Sequence, residues 1–150
     1  GHPNGRKCTD DVQRSWDMPG ATVVIVEDAA TCATTLEMAF LAIPDIAVTV
    51  LATAQDALRL LASADCAVSA VVTDLNMPRM DGFEFIERIR AQPRHQRLPI
   101  IVVSGDTDPG TPERLASIGA NAFFPKPYSP AQVRLKLEQL LDAMSADHSP

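Results

Sequence analysis

Val71-Val72-Thr73-Asp74-Leu75-Asn76-Met77-Pro78-Arg79-Met80-Asp81-Gly82 is the stretch on which the fold turns. A β-branched, apolar run ends in one carboxylate, and turn-forming residues follow at once. An aspartate inside a buried strand carries a large desolvation cost, whereas one at a strand's carboxyl tip can meet water, a metal and a ligand. Asp74 is therefore where the chemistry is expected.

Other fragments repeat the design. Thr22-Val23-Val24-Ile25-Val26 runs into Glu27-Asp28, and Ile100-Ile101-Val102-Val103 runs into Ser104-Gly105-Asp106. A fourth run, Ala122-Phe123-Phe124-Pro125, ends in Lys126-Pro127. In an open parallel sheet the carboxyl ends of the strands share one edge, which would gather Glu27, Asp28, Asp74 and Ser104 and add Lys126 as a cation.

Strand-like runs near 22–27, 46–52, 68–74, 99–104 and 121–125 alternate with segments of helical period. Alternation of this kind predicts an α/β fold with a parallel sheet, and continuously apolar strands predict helices on both faces. Cys32, Leu36, Ala39 and Phe40 make one helical stripe. Ala54, Ala57, Leu58 and Leu61 make another, and Val133, Leu137, Leu140, Leu141 and Met144 a third. Asp81 with Glu84, Thr111-Pro112-Glu113 and Ser129-Pro130 each pair a capping residue with a helix starter, and Gly119 is placed to close the fourth helix.

At 150 residues the chain holds one domain with a single core. The expected division is a flexible polar tail over 1–20, a domain over 21–145 and a short tail over 146–150. The start at Gly1-His2 reads as a processed terminus or as a domain taken from something larger. A net charge of −6 argues against a nucleic-acid surface, which needs clustered Lys and Arg. Three cysteines, Cys8, Cys32 and Cys66, lack C-x-x-C spacing and suggest neither a disulfide framework nor zinc. A soluble protein of the reducing cytoplasm is expected, with no run near the ~20 apolar residues of a membrane span. His2, His95 and His148 look like neither ligands nor bases, and Arg94 with Arg97 reads as a solvated basic patch.

Over about residues 21–145 the chain resembles the receiver domain of two-component response regulators, the chemotaxis-type receiver. The resemblance rests on Glu27-Asp28 after the first strand, Asp74 in the context D-x-N-M-P-x-M-D-G, Ser104 after the fourth strand and Lys126-Pro127 after the fifth. It implies a doubly wound, flavodoxin-like five-stranded sheet in the order 2-1-3-4-5, which spacing alone does not give. Pro125 suits the edge position that this order assigns to the fifth strand.

Clustered carboxylates need a cation or raised pKa values, and hard oxygen ligands at a phosphate site favour Mg²⁺, with Mn²⁺ as a substitute. The resemblance implies that Asp28, Asp74 and the backbone carbonyl of Asn76 hold the metal, with Glu27 acting through water. It implies that Asp74 accepts a phosphoryl group from a phosphohistidine on a sensor histidine kinase or phosphotransfer protein, and that Lys126 contacts that group. Ser104 and Phe123 become switch residues, although Ser104 also reads as a hydroxyl satisfying its own backbone and Phe123 as a static core residue. The Lys126-Pro127 bond is implied to be cis. The fourth helix, fifth strand and fifth helix would form the changeable surface that meets an output domain or effector protein, or a second copy.

Two other classes use similar residues. A Mg²⁺-dependent phosphatase or phosphotransferase of the haloacid-dehalogenase kind also has an aspartate after a strand, but normally a second aspartate two residues later, where Asn76 stands. A pseudo-receiver is an interaction module that never takes phosphate; its usual sign is loss of an acidic, hydroxyl or lysine residue, and each is present. The expected reading is a signalling receiver whose only chemistry is its own phosphorylation and dephosphorylation, not a stand-alone enzyme.

Overall fold

The structure is a computed structural model that describes residues 20–63 and 67–147. In chain order its elements are β1 (Ala21–Val26), α1 (Ala30–Phe40), β2 (Ile46–Leu51), α2 (Ala54–Ala62), β3 (Ala70–Asp74), α3 (Gly82–Arg90), a 3₁₀ turn (Pro93–His95), β4 (Ile100–Ser104), α4 (Thr111–Ser117), β5 (Ala122–Pro125) and α5 (Pro130–Asp147). All strand pairs are parallel and the order is β2-β1-β3-β4-β5, as the resemblance implied. The five expected strands are all present, shifted by one or two residues at their ends.

Every residue of β3 and β4 is buried, which explains why these runs are apolar without alternation: both faces are covered. Val24, Val26, Val71, Ile100 and Val102 face one layer, where Ala57 and Leu61 of α2, Phe85, Ile86 and Ile89 of α3 and Leu115 of α4 meet them. Val23, Ile25, Val72, Ile101 and Val103 face the other, against Leu36 and Phe40 of α1 and Val133 and Leu137 of α5. β5 divides its aromatic pair between the layers, Phe123 packing with the first cluster and Phe124 with the second.

Local signals explain most helix starts. Thr53 accepts a hydrogen bond from Asp56 N (3.1 Å), Asp81 from Glu84 N (2.9 Å) and Ser129 from Gln132 N (3.3 Å). Gly119 closes α4 with φ +110°, a conformation that strains any residue with a Cβ. Thr111 departs from expectation: the cap position of α4 belongs to Gly110, and Thr111 is the buried first residue of the helix, its hydroxyl donating to Asp106 Oδ2 (3.0 Å). α5 continues to Asp147, two residues past the boundary expected at 145. The tail placed at 1–20, with Cys8 and Trp16, lies outside the described residues apart from Gly20, as does Cys66; Cys32 is a free thiol.

At the amino edge of the sheet, Arg90 donates to Gly119 O (2.7 and 3.2 Å), His95 O (2.7 Å) and Asn121 Oδ1 (3.1 Å). Asn121 Oδ1 also accepts from Ile100 N (2.7 Å), so this guanidinium ties α3, the 3₁₀ turn and the α4–β5 loop to the start of β4. Arg94, read from sequence as solvated, donates to Leu61 O (2.7 Å) and Ser63 O (3.1 Å), carbonyls left without helical partners at the end of α2. Among the described residues no helix is long and apolar enough to cross a membrane.

Candidate functional site

The register brings the polar residues together. Val26 pairs with Thr73, so Glu27 and Asp74 are the next residues on neighbouring strands; Asp74 pairs with Val103, and Ser104 with Pro125. Glu27, Asp74 and Ser104 are all buried, an arrangement that polar groups tolerate only with partners. Lys126 supplies the counter-charge: its Nζ donates to Asp74 Oδ2 at 2.7 Å and stands 3.5 Å from Glu27 Oε1. The Lys126-Pro127 peptide bond is cis, as expected.

Asp74 has both oxygens placed, since Oδ1 accepts from Asn76 N at 2.9 Å. Behind it the loop folds tightly: Gly82 N donates to Leu75 O at 2.7 Å, and a Cβ on Gly82 would lie 2.8 Å from Leu75 Cα and 3.2 Å from Asp74 O. Glycine is required there by close approach, which explains Asp81-Gly82 after the turn. Arg79, in the same loop, takes a left-handed φ of +72°.

Glu27 is the least comfortable group. Its Oε2 accepts from Ala29 N (3.1 Å), but Oε1 is buried and makes no hydrogen bond. Burial, followed by the neighbouring Asp74 charge, pushes its carboxyl pKa up, against the lowering pull of the Ala29 N–H and of Lys126. Desolvation works to lower the Lys126 pKa, yet the hydrogen bond and charge of Asp74, with Glu27, outweigh it and hold the ammonium above its ordinary value. A buried carboxylate oxygen with no donor, beside a second carboxylate, is a place where a divalent cation fits. Among the described residues no three His, Cys, Asp or Glu side chains form a ready ligand set, and Asp28 is exposed at the rim. In this state Lys126 provides the compensation.

Ser104 Oγ accepts from Asp106 N (3.0 Å) and lies 3.4 Å from Asn76 Nδ2: it satisfies its own loop, one of its two sequence readings, and borders Asp74's turn. Its backbone carbonyl accepts from Lys126 N (2.7 Å), joining the tips of β4 and β5. Phe123 is half-buried, two strand residues before Pro125. Sequence reasoning missed Asp106, whose carboxylate links the loop to α4; an aspartate two residues past the strand was the available signal.

The sequence profile of the response regulator receiver domain matches residues 23–138. This chain belongs to that family. Receiver domains are the phosphorylation-dependent switches of two-component signalling, and the fold described above is theirs. The chain is 34% identical over 82 residues to a chemotaxis protein CheY homolog of Campylobacter jejuni, 53% of this chain and 62% of that protein, so the match spans about three fifths of such curated relatives. A protein-glutamate methylesterase/protein-glutamine glutaminase of a Nocardioides species is 33% identical over 130 residues, which is 85% of this chain but 34% of that protein.

Among solved structures, a response regulator of Chloroflexus aurantiacus superposes with TM-score 0.74 at 25% identity, covering 81% of this chain and 98% of that one. The receiver domain of a Pseudomonas aeruginosa sensor histidine kinase, described with a magnesium ion coordinated in its active-site cleft, gives TM-score 0.70 at 26% identity, over 82% and 98%.

Proposed function

We propose that this receiver is phosphorylated on Asp74 by a phosphohistidine donor and that the phosphoryl group resets the surface of α4, β5 and α5. The observation that carries the reading is the Asp74–Lys126 contact at 2.7 Å beside buried Glu27: a nucleophile, a charge-neutralising cation and an unmatched carboxylate at one strand edge. A carboxylate oxygen of Asp74 attacks phosphorus; the O–P bond forms as the P–N bond of phosphohistidine breaks, and the departing imidazole keeps the electron pair and takes a proton.

Lys126 moves its hydrogen bond from Asp74 Oδ2 to a phosphoryl oxygen, and Ser104 turns its O–H to another. Mg²⁺, or Mn²⁺ in its place, when held by Asp28, Asp74 and the Asn76 carbonyl with Glu27 through water, supplies further charge neutralisation. Hydrolysis reverses the modification: water attacks phosphorus, the O–P bond to Asp74 breaks and inorganic phosphate leaves.

The donor is a sensor histidine kinase or phosphotransfer protein. The recipient of the altered surface, around Leu115, Ile118 and Phe123, is an output domain, an effector or a second copy. Incubation with acetyl phosphate and Mg²⁺ should add one phosphoryl mass to the intact protein, and Asp74→Asn should abolish the gain. The same gain in Asp74→Asn would sink the assignment, and turnover of generic phosphomonoesters would move the chain to the phosphatase class.

A further inference from the structure

The loop from Ser104 to Thr111 is largely exposed, yet one residue organises it. Asp106 N donates to Ser104 Oγ (3.0 Å), and its two carboxylate oxygens are used separately: Oδ1 accepts from Asp108 N (2.8 Å) and Oδ2 from Thr111 Oγ1 (3.0 Å). Thr111 is only 4% exposed, so its hydroxyl depends on that acceptor, and a charged acceptor makes the stronger hydrogen bond. Asp106 thus joins the hydroxyl at the site to the first residue of α4.

A second strut reaches the same helix. The guanidinium of Arg114 lies 3.6 Å from the ring centroid of Phe83, in the first turn of α3 directly after Gly82, whose N–H is bonded to Leu75 O beside Asp74. α4 is therefore pinned at two points, each a short chain of contacts from Asp74. Between Ser104 and Asp106, Gly105 is exposed, and a Cβ there would meet nothing within 4 Å, so no neighbour packs against the loop at that point.

We propose that Asp106 is a positioning residue, a latch that holds α4 in its unphosphorylated place by clasping Thr111 while its N–H follows the Ser104 hydroxyl. What opens the latch rests on the Asp74 phosphorylation proposed above: Ser104 turns to the phosphoryl group, and Asp106, whose N–H is bonded to the Ser104 hydroxyl, is drawn with it so that its carboxylate lets go of Thr111. The clasp itself belongs to the unphosphorylated protein.

Hydrogen exchange on the full chain tests it. In unphosphorylated Thr111→Val, amides of residues 105–118 should exchange about tenfold faster, the equivalent of one charge-assisted hydrogen bond in local opening, with β1 and β3 unchanged. Thr111→Ser, which restores the hydroxyl, should return to within about twofold of the parent. Beryllofluoride with Mg²⁺ should loosen the same segment in the parent and add less in Thr111→Val.

Exchange in Thr111→Val equal to the parent, or Thr111→Ser as fast as Thr111→Val, overturns the latch. So does acceleration spread evenly over the five strands. If Thr111→Val does not fold, Asp106→Asn decides by the same readout. Failure of the parent to take a phosphoryl group, with the Thr111→Val acceleration present, counts against Asp74 as acceptor and leaves the latch standing. Normal phosphorylation with no acceleration removes the latch alone.

Discussion

The two edges of the sheet each bury charge, and they treat it differently. At the amino edge Arg90 is met by carbonyl oxygens of Gly119 and His95 and by the Asn121 side chain, so the guanidinium is paired almost wholly with fixed dipoles. At the carboxyl edge Glu27 and Asp74 share one ammonium, and Glu27 Oε1, 3.5 Å from it, makes no hydrogen bond. The first arrangement stabilises the fold. The second leaves an electrostatic deficit that a ligand can relieve, and deficits of this kind mark functional sites.

Breaking the satisfied edge should cost most. Arg90→Ala leaves Gly119 O and His95 O without their donor, so unfolding in urea should show a loss of about 3 kcal/mol, with acetyl-phosphate chemistry at Asp74 retained in whatever remains folded. Gly119→Ala attacks the same clip from the other side: φ is +110° and a Cβ would stand 2.7 Å from Arg90 Nε. A loss of about 2 kcal/mol is expected, and a smaller one would mean that the clip yields easily.

The unsatisfied edge should behave in the opposite sense. Glu27→Gln keeps an oxygen for Ala29 N and removes the charge that burial disfavours, so stability without metal should hold or rise, by about 1 kcal/mol at most, while stabilisation by Mg²⁺ falls. Thermal melts with and without Mg²⁺ read both numbers. A Glu27→Gln protein that melts well below the parent without metal would place Glu27 among the structural charges instead.

The smallest effects concern pH, and their signs differ between the edges. The folded-state pKa of Glu27 is raised, so its contribution is fully present below the ordinary 4.5 and is lost as pH rises through the raised value. His95 is shifted downward, by burial first and then by Arg94 and Arg90; its contribution is present above the ordinary 6.5 and fades as pH falls through the lowered value. Urea midpoints across pH 4 to 8 should therefore contain two opposed slopes. His95→Gln should flatten the one just below 6.5, and Glu27→Gln the one above 4.5.

Much of this was legible in the sequence, for local reasons. Asp81 caps α3 because its partner is three residues away, and Asp74, Glu27, Ser104 and Lys126 meet because apolar parallel strands end together. Strand order was legible only through resemblance, since crossover connections of equal length serve several orders. What stayed hidden depended on distant partners. Thr111 looked like a cap but bonds Asp106, Arg94 looked solvated but bonds Leu61 O and Ser63 O, and nothing near Arg90 announces Gly119 or Asn121. A charged residue in a helix reads the same whether water or a carbonyl waits for it.

The neighbours Phe123 and Phe124 sit in opposite layers, one on each side of β5. Rolling the strand to withdraw one ring would expose or crush the other, so rigid rotation of the backbone is closed as a route. Any reorientation of Phe123 has to be a rotamer hop about χ1, with the strand's hydrogen-bond ladder left in register. Such a hop moves one side chain and needs no strand re-pairing, so it is the faster of the two motions.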